Sequence, residues 1–183
     1  MAENAEHTQH THHTGHEEHM GGPERADAER DRNPEGRAQN QRPRDRFGRP
    51  LPYGSPGVPR VPDDAVFAPD EGLDEAQSLL EDGYAFHAHE VLEAVWKGTQ
   101  GHERELWRGL AQIAVGLTHA QRGNRVGAAR LLRRGAERVE EFGPEAPSGV
   151  DALGAAAHAR SVADTVEAGH TGEIDTARLR LRR

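Results

Sequence analysis

Residues 83–127 read GYAFHAHEVLEAVWKGTQGHERELWRGLAQIAVGLTHAQRGNRVG. Two helical patterns and the break between them lie in this stretch, and the way they pair decides the fold. In the first, His89, Glu90, Glu93 and Trp96 recur at helical spacing. The second contains residues 109–120, GLAQIAVGLTHA, where Gln112, Thr118 and His119 are the only polar side chains. A helix that is apolar on all sides is buried rather than amphipathic, and buried polar groups need partners. If the two helices run antiparallel, His89, Glu90 and Glu93 are the candidates to face Gln112 and His119.

The same reasoning extends outward. Leu73, Ala76, Leu79 and Leu80 form an apolar stripe, which predicts a first helix opening at Asp70 or Glu71 behind Pro69 and stopping at Gly83. The second helix is expected over 84–97, with Phe86, His89, Glu93 and Trp96 on one face and Ala85, Ala88, Leu92 and Val95 on the next. After the break Gly98-Thr99-Gln100-Gly101, the third runs over 102–122. Its Leu106, Leu110, Ile113 and Leu117 make one seam, and Gly109, Gln112, Gly116 and His119 another. Each helical glycine costs about 1 kcal/mol relative to alanine, so Gly109 and Gly116 imply a close approach, expected here to be that of the second helix. A fourth helix is predicted over 126–142, with Val126, Ala129, Leu132, Ala136 and Val139 inward. A fifth is predicted over 150–168, carrying Leu153, Ala157, Val162 and Val166. The fold class is therefore all-α, a bundle of about five helices over residues 70–170, and short loops favour antiparallel neighbours. A basic tail, 171–183, ends in ARLRLRR. Its leucines can pack while its arginines stay in water.

A long segment precedes the bundle. Residues 1–22 hold six of the twelve histidines and no apolar periodicity. Such a tract is expected to be disordered, with a capacity for nickel, zinc or copper. Residues 23–69 form an arm rich in Pro, Arg and Gly, too proline-dense for helix or central strand. Its Phe47, Leu51, Tyr53, Val58 and Val61 either dock it on the bundle or leave it a linker. Arg42, Arg44, Arg46 and Arg49 have the chemistry for phosphate or RNA. Interleaved acids and a net charge of -8 argue against nucleic acid as a partner. The chain has no cysteine, which excludes disulfides, thiolate metal sites and cysteine nucleophiles. No apolar run is long enough for a membrane span and no secretory leader is recognisable, so the expected location is cytoplasmic.

The polar residues of the quoted stretch allow three readings. As a metal site, His89, Glu93 and His119 would bind zinc, iron or manganese, with Glu90 as base and Gln112 orienting water. As a metal-free pocket, carboxylates beside imidazoles would do acid–base work on a small-molecule substrate. As a structural network, the same groups would only satisfy one another. His87 and His102 fall at other phases and are expected at the surface. Trp96 and Trp107 are expected to be core aromatics or lids over the cluster.

FHAHEVLEAVW followed by LWRGLAQIAVGLTHAQRGNRVGAARLL resembles the DUF309 family of small bacterial, archaeal and plastid-related proteins. The likeness spans about Leu73 to Phe142. It includes His89, Glu90, Glu93, Trp96, Gly109, Gln112, His119, Gly123, Asn124, Gly127 and Ala128. The resemblance implies a compact all-helical fold and a provisional assignment as a metal-dependent hydrolase resting on those His and Glu residues. A rival reading is a non-catalytic interaction module with a protein partner. Gly83-Tyr84…Ala88…Leu92 and Gly123-Asn124…Ala128…Leu132 look like parts of tetratricopeptide helices. Their separation is 40 residues where that repeat needs 34.

Overall fold

The computed structural model describes residues 42–62, 64–169 and 173–183. The His-rich tract and the first part of the arm lie outside the described residues. Residues 42–183 form one compact unit whose order is α1 (Pro69–Glu81), α2 (Ala85–Gly98), α3 (Glu103–Gln121), α4 (Arg125–Glu140) and α5 (Ala152–Glu167). The five predicted helices are present, each within a few residues of its expected ends. Consecutive helices pack on one another, α3 against α4 most extensively.

The helix ends follow from local chemistry. Pro69 opens α1, and Asp70 and Glu71 sit in its first turn, where the amide dipoles favour negative charge. Asn124 caps α4 by accepting from the Gly127 amide, and Asp151 caps α5 by accepting from that of Gly154. Gly83 and Gly123, both at positive φ, turn the chain out of α1 and α3.

The core runs along α1 Leu73, Ala76 and Leu80, α2 Ala85, Ala88, Val91, Leu92 and Val95, and α3 Leu106, Trp107, Leu110, Ile113 and Leu117. In α4 and α5 the buried stripe differs from the expected one. Val126 is 83% exposed and Leu153 46% exposed, while Ala157 also faces solvent. The α5 core is a band of alanines (Ala152, Ala155, Ala156, Ala159 and Ala163) with Val162 and Val166. Small residues let α5 lie close on α4, and the larger Leu153 marks the wrong face. At the C-terminus Leu179 and Leu181 are buried while Arg180, Arg182 and Arg183 are exposed. Arg182 pairs with Asp74, and the Leu181 amide donates to Gln77, so this segment straps α1.

The glycine seam of α3 meets α4, not α2. A β-carbon on Gly109 would stand 2.7 Å from Val139 and 3.2 Å from the Gly135 carbonyl. One on Gly116 would stand 2.7 Å from Leu132, and one on Gly135 2.8 Å from the Gly109 carbonyl. Three glycines thus let two backbones touch. Gly116→Ala is expected to lose about 1–3 kcal/mol to overpacking, against a helix-propensity gain of about 1 kcal/mol. Gly98→Ala, whose added carbon meets nothing, should be neutral or stabilising. Urea unfolding of the two variants checks this.

Candidate functional site

The outward face of α2 carries most of the candidate polar residues, and the arm lies across it. Residues 42–58 fold back on themselves. The Leu51 amide donates to the Pro43 carbonyl at 2.8 Å and the Val58 amide to that of Arg44 at 2.9 Å. The Asp45 carboxylate accepts from the Phe47 and Arg49 amides and fixes the turn. At its tip Gly48 is buried with φ of 72°, and any β-carbon there would fall 2.2 Å from the Phe86 ring. Only glycine satisfies both the backbone angle and the contact. The guanidiniums of Arg44 and Arg122 lie 5.2 and 5.7 Å from the centre of the Phe86 ring, and Arg122 Nε donates to the Phe47 carbonyl at 2.7 Å.

Farther along, Arg60 of the arm pairs with Glu90 of α2 at 3.1 Å, their side chains only 20% and 11% exposed. Next to this pair, His89 Nε2 stands 3.5 Å from Glu93, which also holds Lys97 at 3.1 Å. The Trp96 ring is only partly buried, under Arg104 at 4.5 Å, so it belongs to the edge of this face. Trp107 is fully buried in the core.

His87 corrects the sequence reading. It was expected at the surface but is 1% exposed. Its ring meets Tyr84 and Phe86 edge-on, with centroids 5.8 and 5.4 Å away, and neither ring nitrogen has a hydrogen-bond partner among the described residues. Helical phase sets it at the edge of the buried stripe, one turn before Val91, and charged residues of the arm lie nearby. Burial, then the nearby charge of Arg60 and of Arg44, hold it below the ordinary imidazole range, and Asp45 opposes them. His102 is exposed, as expected, and stacks on Phe142 at 4.7 Å.

Gln112 and His119 are placed elsewhere. The Gln121 amide donates to the Gly83 carbonyl at 3.1 Å, which fixes the side of α3 that looks at the start of α2. At about 100° per residue, His119 is turned some 160° from Gln121, and Gln112 about half a turn. Both point away from α2. His119 lies instead against the α4 N-terminus, where a β-carbon on Gly127 would meet its Nδ1 at 2.7 Å. Asn124 Oδ1 accepts from the Gly127 amide, so its Nδ2 faces His119 Nδ1, 2.8 Å away, and donates. His119 is therefore neutral, with its proton on Nε2. Its pKa is lowered by burial and by Arg122 and Arg130.

This arrangement bears on a metal. A ligating histidine ordinarily donates its second ring N–H to an acceptor, whereas the second nitrogen of His119 receives a hydrogen bond. His89 and Glu93 offer two donors, Glu90 is engaged by Arg60, and His119 is on another face. Among the described residues no three His, Cys, Asp or Glu side chains stand together as a metal would require. The residues do not fit a three-ligand centre as arranged.

Arg60, Phe86, His87 and Asn124 carry the geometry that sequence reasoning passed over. Phe86 and His87 were visible in FHAHE, but the arm that packs on Phe86 lies about forty residues earlier in the chain. Asn124 stood out only as a pattern position, although the residue before a new helix is also a natural cap.

Among families, the model described as "Domain of unknown function (DUF309)" matches residues 73–131. The chain carries a DUF309 domain. The matched segment covers α1 from Leu73, α2, α3 and the first half of α4. It therefore includes all five candidate residues and the glycines Gly109 and Gly116, and stops short of the arm and α5. No curated protein and no solved structure matched. No described helix in or around the DUF309 domain is long and apolar enough to cross a membrane.

Four partly or fully buried histidines, three in the DUF309 segment and His158 in α5, are expected to make the fold acid-sensitive. His87, His89, His119 and His158 are all held below the ordinary value of about 6.5, mainly by burial. Each is neutral in the fold and takes up a proton more readily when unfolded. The stability this confers is full above pH 6.5 and declines as pH falls through the folded values. The urea midpoint is expected to fall between pH 7.5 and pH 5.5, and His87→Leu should flatten that slope.

Proposed function

We propose that the chain is a non-catalytic helical binding module, in which the DUF309 domain holds an arginine-rich arm in one conformation and presents it to a partner. The observation that carries this reading is the Arg60–Glu90 pair, largely withdrawn from water. Glu90 was the candidate general base, and the arm uses it as an anchor. The other candidates have similar employment. Glu93 is held by Lys97 and His89 along its own helix, and His119 steadies the Asn124 cap. A general base needs a free lone pair within reach of a substrate proton, whereas Glu90 is held by Arg60 and Glu93 by His89 and Lys97.

The metal-dependent hydrolase reading retains one favourable observation. Gln112 Oε1 is buried without a hydrogen-bond partner among the described residues, as a group awaiting a ligand would be. The two readings part on metal stoichiometry. Calorimetric titration of the full chain with zinc, manganese and iron(II) is the test, since residues 1–22 add a background that point variants subtract. For a binding module, His89→Ala, Glu93→Ala and His119→Ala each leave the number of equivalents unchanged. Loss of one equivalent in all three variants would overturn that reading in favour of the hydrolase.

A further inference from the structure

Positive charge is concentrated in the middle of the arm, residues 42–60, whereas over the whole arm, 23–69, nine arginines face eight acids. Residues 42–60 hold five arginines against a single acid, Asp45, in a protein of net charge -8. One Asp45 oxygen is committed to the turn amides. Arg46 reaches Glu173 only at 3.9 Å, between exposed side chains. Folding also brings Arg122 of α3 into the group. Burial first, then the nearby charges of Arg44 and Arg49, disfavour its charge, and Asp45 opposes them.

These arginines are laid on aromatic rings. Arg42 sits 5.1 Å from the centre of the Tyr53 ring, and Tyr53 is 57% exposed. Arg46 and Arg49 lie 5.1 and 5.2 Å from the centre of Phe47. A guanidinium held against a ring keeps its plane and its outward N–H groups fixed. The result is a cluster of arginines and aromatic rings on one turn. Single-stranded nucleic acid is the polyanion that matches both properties, because its phosphates take the charge and its bases stack on planar groups. An acidic peptide would satisfy the charge alone, and a duplex hides its base faces.

We infer that the arm's arginine–aromatic surface, centred on Arg42, Arg46, Arg49 and Tyr53, binds single-stranded nucleic acid. This rests on the binding-module reading and supplies its partner. The sequence already marks these arginines for phosphate or RNA and discounts them for interleaved acids and net charge; the fold adds the aromatic rings beside them and Arg122.

The test is fluorescence anisotropy of the full chain with a labelled twelve-residue oligo(U), the corresponding oligo(dT), a duplex of the same length, and polyglutamate. Either or both single strands are expected to bind at least tenfold tighter than duplex or polyglutamate. The R42A/R46A/R49A variant should lose tenfold or more, and its log–log salt slope should fall by about 2, at about 0.7 per phosphate contact. R42K/R46K/R49K, which keeps the charge, should keep the slope and lose several-fold in affinity. Circular dichroism and the unfolding midpoint establish that the variants fold. Polyglutamate binding as tight as the oligonucleotides, and equally sensitive to the arginines, would overturn the nucleic-acid inference while leaving the arm as a presenting surface. No binding of any single strand, or binding unaffected by the triple alanine variant, would overturn it as well.

Discussion

The backbone contact of α3 with α4 is the constraint on which the rest of the structure depends. Gly109, Gly116 and Gly135 allow the two helices to meet where any side chain would hold them apart. Once that seam is closed, the rotation of α3 is fixed. Its large apolar residues face the core, Gln121 reaches back to the α1–α2 turn, and His119 is turned toward the α4 cap. A helix with two interior glycines gives up propensity of about 1 kcal/mol at each, and the close packing of α4 offsets it. The ion pair of Arg138 with Glu105 at 3.1 Å runs alongside this seam and adds direction more than stability.

The same rotation separates the polar residues of the DUF309 segment into two groups with different work. One group, on α2, lies under the arm: Phe86 supports Gly48, Glu90 holds Arg60, and His87 is buried beside Phe86. The other, at the α3–α4 turn, joins His119, Asn124 and Gly127 into a cap. Both groups place hydrogen-bonding side chains where the chain must turn or be covered. The family segment ends within α4, yet its α2 face is completed by residues 44–60, which lie before it. A polar pattern inside one segment can thus answer to residues outside it.

The helices were legible because their signals are local. Stripes of three-four spacing, Pro69 at a start, and glycines at Gly83 and Gly123 locate each end to within a few residues. The partner of the glycine seam was not legible. Periodicity shows that Gly109 and Gly116 share a face but not which neighbour that face meets, and the expectation of α2 was wrong. The phase of α5 failed for a related reason, since an alanine-rich helix has little contrast between faces and Leu153 misled. The residues of the candidate site were recognisable as a group, and FHAHE stood out. What the sequence does not carry is the link from Arg60 to Glu90, thirty positions apart, because extended, proline-rich chain has no period from which a docking register could be read.

The central claim is that the α2 face of the DUF309 domain fixes the arm through Glu90. Hydrogen–deuterium exchange of the full chain, compared with Glu90→Gln, tests it most directly. The Leu51 and Val58 amides, bonded within the arm, report its order, and the α3 amides report the bundle. Faster exchange across residues 44–61 in the variant, with α3 unchanged, is the predicted result. Equal exchange of the arm in both proteins would contradict the claim and return Glu90 to the list of residues in search of a role.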